Sequence, residues 1–387
     1  MKKTILLFLM ICPFYVLLSQ SINGTVVNDI GKPIADVNIY LDGTKTGTVS
    51  TADGTFSLSI SKNNNLVFKK DNYETFIVNT SEILNKKLKV VLIKAEEIEE
   101  VIIIPFTEKA YKDYINYFLT SFIGTDQTNV KIKNQRSLKF SYDKTNRILR
   151  VKAPQTLIIE NKNLGYIIDY NLQDFVVDFE NNTTSYLGTS FFKETKNTDK
   201  VKLNRMNAYD GSTFHFLRSM YGGKVKDEGF IVNQVTKFPN PKYPTEEELR
   251  YLKDFKKTFK PTKNIVIPED IQDIISRKTG EPEYKVAVTK FNIPETDYIK
   301  KSDGKVLLDF KDILEIKHNK YFYELKSKEI VRSKLPVQQS SNIHSNDGIF
   351  EIYSNGNCSN PANLMLQGEF TKNKIEFLLP LDYQLGD

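Results

Sequence analysis

Between Arg205 and Arg218 the chain gathers two guanidinium groups, a phenol, a carboxylate and an imidazole: Arg205, Tyr209, Asp210, His215 and Arg218. Guanidinium and imidazole donors can clamp an anionic or sugar group, which makes these five the candidate ligand-binding residues. The same residues admit a purely structural use, with an Arg–Asp pair fixing a helix entry and a histidine capping a carbonyl. A second set, Glu160, Asp169, Asp174 and Asp178, offers carboxylates of the kind that glycosidases place in pairs across a scissile bond. Spacing along a chain does not set separation in space, and acidic residues on the wet side of a sheet are the simpler reading.

Other catalytic chemistries find little support. Zinc needs ligands whose lone pairs converge, yet His215, His318 and His344 stand far apart and Cys358 has no cysteine partner after residue 20, so the sequence predicts no metal site and no cofactor. The triplets Lys45-Thr46-Gly47 and Lys278-Thr279-Gly280, with Ser141 and Lys144, have the residue types of serine acyl-enzymes. Ser-x-x-Lys also starts at Ser59, Ser190 and Ser302, and Ser141 lies in a strand pattern instead of opening a helix. Phosphate loops, Gly-x-Ser-x-Gly elbows and His-Glu-x-x-His pairs are lacking.

The elements that must position such residues begin after a leader. Lys2 and Lys3 precede an apolar run from Ile5 to Leu18 that is too short to cross a bilayer and is closed by Ser19 and Gln20, so residues 1–20 read as a secretory signal peptide. Its removal takes the formal charge from +6 to +4, too small a surplus to suggest nucleic acid as a partner. Of 387 residues, 40% are hydrophobic and 26% charged, a balance that excludes disorder and predicts two or three globular domains.

From Ile22 onward apolar residues alternate with polar ones: Val37, Ile39, Leu41; Phe56, Leu58, Ile60; Leu66, Phe68; Phe76, Val78; Leu88, Val90, Leu92. Period two means strands, and Gly31-Lys32-Pro33, Asp42-Gly43 and Asp53-Gly54 supply the turns, which together predict about seven strands in a small antiparallel sandwich. The run Gly24-Thr25-Val26, Gly31-Lys32-Pro33-Ile34-Ala35-Asp36-Val37, Gly43-Thr44, Gly47-Thr48 and Asp53-Gly54-Thr55-Phe56 resembles the carboxypeptidase regulatory-like domain. That resemblance implies a transthyretin-like β-sandwich serving as an accessory module, without peptidase activity. It is taken to span residues 21–94, with residues 95–105, acidic and then β-branched up to Pro105, as a linker.

Residues 106–387 read as an α+β domain. Tyr111, Tyr114, Ile115, Phe118 and Phe122 fall on one helical face after Thr107. Strands are expected through 130–192, among them Tyr166-Ile168-Tyr170 and, separately, Phe175-Val177-Phe179. Ser212 should cap a short helix ended by Gly222-Gly223, with Phe214, Leu217 and Tyr221 facing the core. Thr245-Glu246-Glu247-Glu248 is a capping box before a helix whose stripe is Leu249, Leu252, Phe255 and Phe259, and Ile271–Ile275 suggests another helix. Strands return at Tyr321-Tyr323-Leu325, Phe350-Ile352, Leu364-Leu366 and Ile375-Leu379, with an Asn/Ser/Gly-rich loop at 339–348. The segments Leu164-Gly165-Tyr166-Ile167-Ile168-Asp169-Tyr170 and Ala208 to Arg218 resemble a region of envelope proteins of Bacteroidota, and that resemblance carries no activity with it.

The expected molecule is β-rich: an N-terminal transthyretin/Ig-like β-sandwich followed by an α+β domain. It is exported to the periplasm, outer-membrane surface or cell surface, non-enzymatic, and a binder of an envelope glycan, peptide or protein, with outer-membrane association among the expectations. The alternative is a carboxylate-dependent hydrolase of an envelope polysaccharide that uses the 160–178 acids with His215.

Overall fold

A computed structural model describes residues 20–60, 63–84, 86–95, 104–258, 267–345 and 348–387. The signal segment up to Ser19, most of the 95–105 linker, and Phe259 of the helix stripe lie outside the described residues. Two compact units result. The first comprises Met1–Ile103 with Ile168–Asn171 and Thr189–Lys193, and the second comprises Ile104–Ile167, Leu172–Gly188 and Glu194–Asp387.

The described residues up to 95 carry seven strands in two sheets. Thr55–Ile60, Gln20–Val27 and Leu88–Val91 make a three-stranded sheet, and Gly47–Val49, Asn38–Leu41, Asn65–Lys69 and Phe76–Asn79 make a four-stranded one. Period-two burial along Thr55–Ile60 sends Phe56, Leu58 and Ile60 inward to meet Ile22, Val26, Ile39, Leu66 and Phe68. The sheets are not wholly antiparallel as expected: Gln20–Val27 runs parallel to Leu88–Val91, from Gly24 opposite Leu88 to Val27 opposite Val91. A parallel neighbour cannot be made by a hairpin, so turn spacing carries no sign of it. Gly24 allows the approach, since a Cβ there would stand 2.6 Å from the Leu88 carbonyl oxygen.

In the second unit, helix Glu108–Phe122 starts where Thr107 Oγ1 accepts the Ala110 N–H at 3.0 Å and buries Phe118 and Phe122 completely. Beside it Val130–Ile132, Leu157–Asn161, Tyr166–Asp178, Ile148–Lys152 and Lys139–Asp143 form a sheet in that spatial order, with Thr183–Glu194 paired to Tyr166–Asp178. The two strands expected at 166–170 and 175–179 are one strand of 13 residues. Gln173 and Asp174, both exposed, break the alternation and shift its phase within one continuous strand.

A five-stranded sheet, in the order Tyr284–Lys290, Phe230–Pro239, Ile313–Lys320, Val337–Ser345, Leu364–Gly368, forms the scaffold that matters below. Its core includes Phe216, Met220, Phe230, Val232, Leu314 and Ile316. The loop expected at 339–348 is, up to Ser345, an inner strand, paired with Ile313–Lys320 on one side and Leu364–Gly368 on the other. Strands on both sides satisfy its backbone, so tertiary pairing overrides the turn-like composition. Ile375–Phe377 is a turn of 3-10 helix where a strand was expected, although Ile375 and Leu379 are buried as their apolar character requires.

The capping box forms as read, with the Thr245 N–H donating to Glu248 Oε2 at 2.7 Å and the Glu248 N–H to Thr245 Oγ1 at 3.3 Å. It opens helix Glu246–Thr258, which packs Leu252 on Ile271 and Ile274 of helix Glu269–Gly280. Helix Thr213–Gly222 also begins at its expected cap, Ser212, and ends at Gly223, in the left-handed region. Its inner face differs from expectation: Phe216, Leu217 and Met220 are buried with His215, while Tyr221 is exposed.

Candidate functional site

Two helices and one strand build the site. Helix Asp199–Tyr209, which lacks an apolar stripe and went unread in the sequence, ends at Asp210, and the next helix starts at once with Ser212. The corner between them is Gly211, at φ +69°, where a Cβ would come within 2.7 Å of the His318 ring. This tight corner brings Asp210 beside His215, one turn into the second helix. His318 arrives from strand Ile313–Lys320, where it sits directly opposite Phe230 and stacks on it with ring centroids 4.3 Å apart. Phe230 in turn meets the His215 ring edge to face at 4.9 Å, so one phenylalanine holds both histidines.

The polar geometry is close. Asp210 Oδ1 lies 3.0 Å from His318 Nε2 and 3.6 Å from His215 Nδ1, while Asp210 Oδ2 accepts the Tyr321 N–H at 3.1 Å. His215 Nδ1 accepts the Gly211 N–H at 3.2 Å, which places the imidazole proton on Nε2, 3.2 Å from Glu228 Oε2. His318 Nδ1 is buried and has no hydrogen-bond partner.

Burial pushes the His215 imidazole below its ordinary value, against the opposing pull of Glu228 and Asp210. Burial alone would raise Asp210; the His318 hydrogen bond, the two imidazoles and the Tyr321 N–H outweigh it and hold the carboxyl below the usual carboxylate range. The neutral imidazole and the ionised carboxylate therefore stand side by side at neutral pH.

These groups face a cavity of about 310 Å³ whose wall also includes Tyr209, Asp227, Tyr321, Tyr323 and Arg332. The Arg332 guanidinium lies over the Tyr321 ring at 3.8 Å. Three carboxylates, Asp210, Asp227 and Glu228, thus confront one guanidinium.

Of the five sequence candidates, Tyr209, Asp210 and His215 meet at this cavity, and the two arginines do not line it. Arg205 is fully buried and donates from Nε to the Leu164 carbonyl at 2.9 Å and from Nη2 to the Lys196 carbonyl at 3.0 Å, with Glu194 paired at 2.7 Å and Tyr166 stacked beneath. Arg218 donates to the Tyr383 and Leu381 carbonyls at 2.8 and 2.9 Å. Both guanidinium groups thus hold main chain. The 160–178 acids are elsewhere too: Glu160 pairs with Lys133 at 2.6 Å, Asp169 with Lys193, Asp178 accepts the N–H groups of Glu180 and Asn181, and Asp174 is exposed.

His318, Glu228, Asp227, Tyr321, Tyr323 and Arg332 were missed in the sequence. Their only signal there was His318 itself, set aside because it lies 103 residues from His215. Cys358 is free and buried, and burial pushes its thiol up to about 11, which leaves it unreactive.

Comparison with known proteins bears on the first unit. Residues 22–103 match the CarboxypepD_reg-like domain family. The regulatory-like sandwich expected from the glycine and Asp-Gly-x-Phe pattern is thereby present, and the match runs on to residue 103. No curated protein matches the chain. Among solved structures, a Bacteroides fragilis NCTC 9343 protein of unknown function, described as membrane-associated, is similar at 10% identity and a TM-score of 0.16 over 86% of this chain and 97% of that one. No helix among the described residues is long and apolar enough to cross a membrane.

Proposed function

We propose that this is an exported, non-enzymatic recognition protein of the cell envelope, in which the CarboxypepD_reg-like domain is an accessory module and the second unit binds a neutral, hydroxyl-rich glycan in the Asp210–His215–His318 cavity. The observation that carries this reading is the cavity wall. Tyr321 and Tyr323 offer aromatic surface to a sugar ring, carboxylates accept from its hydroxyls, and His318 Nδ1 is a buried ring nitrogen still in need of a partner. An anionic ligand fits less well, because the arginines that would have clamped it hold backbone carbonyls and the cavity is rich in carboxylates. The apolar leader read at residues 1–20 supports export.

Calorimetry of the mature chain with neutral envelope oligosaccharides tests the reading. Binding should weaken by roughly 3- to 10-fold in each of Tyr321→Ala and Tyr323→Ala. Failure of every neutral glycan to bind, or equal affinity in the double variant, removes the proposal.

One observation favours hydrolysis as a second reading: two imidazole–carboxylate pairs, His318–Asp210 and His215–Glu228, border one cavity. New reducing ends from an envelope polysaccharide, lost in His215→Gln, would establish this reading over the first.

A further inference from the structure

We infer that Asp210, His215 and His318 form a binding site for a divalent transition-metal ion such as Zn²⁺ at the floor of the cavity. One ligand atom from each residue lies within 4.8 Å of those of the other two. In a tetrahedral centre with metal–ligand bonds of about 2.0–2.1 Å, neighbouring ligand atoms stand roughly 3.3 Å apart. The separations from Asp210 Oδ1 to His318 Nε2, 3.0 Å, and to His215 Nδ1, 3.6 Å, bracket that value.

The surroundings favour an ion as well. Metal-bound histidines usually donate their second ring N–H to a carboxylate, which fixes the tautomer and sharpens the ligand. His215 has that arrangement already: Nε2 is turned to Glu228, and Nδ1, which now accepts the Gly211 N–H at 3.2 Å, stands 3.6 Å from Asp210 Oδ1. Two imidazoles with one carboxylate select a borderline ion over Mg²⁺ or Ca²⁺, which prefer all-oxygen sites. The three carboxylates lining the cavity outnumber the one guanidinium that lines it, which suits a cation. Three protein ligands leave a coordination position open toward the cavity, as in metal sites that hold a substrate or ligand atom.

This deepens the proposed function, because the open position would face the glycan. Metal binding itself is independent of that reading and is measured without any sugar. The test uses the full mature chain, stripped with a chelator, dialysed and titrated with ZnCl₂, and separately with CoCl₂ to read the ligand field in visible absorption. Expected are about one ion per chain, visible Co²⁺ bands of a low-coordinate N/O site, and a rise in Tm on adding Zn²⁺.

Asp210→Asn should weaken Zn²⁺ binding by about 100-fold or more, and Glu228→Gln, which leaves all three ligands in place, by about 10- to 100-fold. His344→Asn, outside the cavity, should leave it unchanged. Glu228 is half exposed, so its variant reads the site even where Asp210→Asn fails to fold. No stoichiometric Zn²⁺ uptake, or equal affinity in Glu228→Gln and the unaltered chain, overturns the inference.

Discussion

The two units keep polar groups in their interiors in different ways. Among the described residues of the sandwich, the buried polar side chains belong to short residues such as Thr44, Ser50, Asn64 and Thr80, and they tie turns to backbone. The second unit buries short polar residues too, among them Ser141, Asn161 and Ser219, and adds Arg205, His215, His318 and Glu376, all of them titratable and long enough to reach across elements. Glu376, for example, accepts the backbone N–H groups of Thr125 and Asp126, about 250 positions away in sequence. A core sealed by apolar contacts serves a module whose work is to be stable. A core stitched by charged groups carries a desolvation cost that only well-made partners offset.

That contrast can be broken most directly by paired truncations. Phe68→Ala in the sandwich removes a fully buried ring packed against Phe56 and Phe76 and should cost about 3–5 kcal/mol of unfolding free energy. Arg205→Ala in the second unit should cost nearly as much, about 3–4 kcal/mol, because it strands the Leu164 and Lys196 carbonyls and Glu194. Arg205→Lys should recover little of that loss, since an ammonium cannot reproduce the fork that reaches both carbonyls. Denaturant unfolding followed by a probe in each unit gives both values. An Arg205→Ala chain as stable as the parent would erase the distinction.

The next largest effect lies in the sandwich unit, at the carboxyl most strongly displaced among its described residues. Burial raises Asp42 to about 6, against the lowering effect of N–H groups from Ser190 and Gly43. Between about pH 4 and pH 6 the folded form keeps a proton that the unfolded chain has released. Stability from this group is therefore greatest below about pH 4 and falls as pH rises through 6, by up to about 3 kcal/mol. Urea midpoints across pH 4–7 should show the decline, and Asp42→Asn should flatten it. An unchanged slope in the variant would assign the pH dependence elsewhere.

Smallest is the cap. Ser212→Ala removes the acceptor for the His215 N–H at 3.0 Å and should cost about 1 kcal/mol. The same change frees the corner that holds Asp210 beside His215, so Zn²⁺ affinity should fall further than stability does. Equal Zn²⁺ affinity in the variant would show that the corner is held by packing alone.

Local signals were legible wherever the chain answers to its own neighbours. Six strands of the sandwich followed from alternation at Phe56-Leu58-Ile60 and its counterparts, Gly47–Val49 being too short to alternate, and the helix caps at Thr107, Ser212 and Thr245 followed from hydroxyl chemistry within a few residues of the groups they satisfy. Three of the nine cavity residues named above were legible on the same terms, since Tyr209, Asp210 and His215 share one helical corner. The inner strand Val337–Ser345 was misread because its polar composition matches a loop, and helix Asp199–Tyr209 was missed because its residues make no stripe. Both are held by pairing and packing with distant segments.

What the amino-acid order determined by itself is therefore the set of elements with a local period or cap, together with the turn chemistry that spaces them. What only the tertiary structure decided is who meets whom. His318 reaches His215 because the strand pairing that sets Phe230 opposite His318 also fixes the ring on which both imidazoles rest. Arg205 and Arg218 were drawn off to backbone carbonyls by the same folding. Register between strands 80 or more residues apart is a property of the packed whole, and no spacing along the chain encodes it.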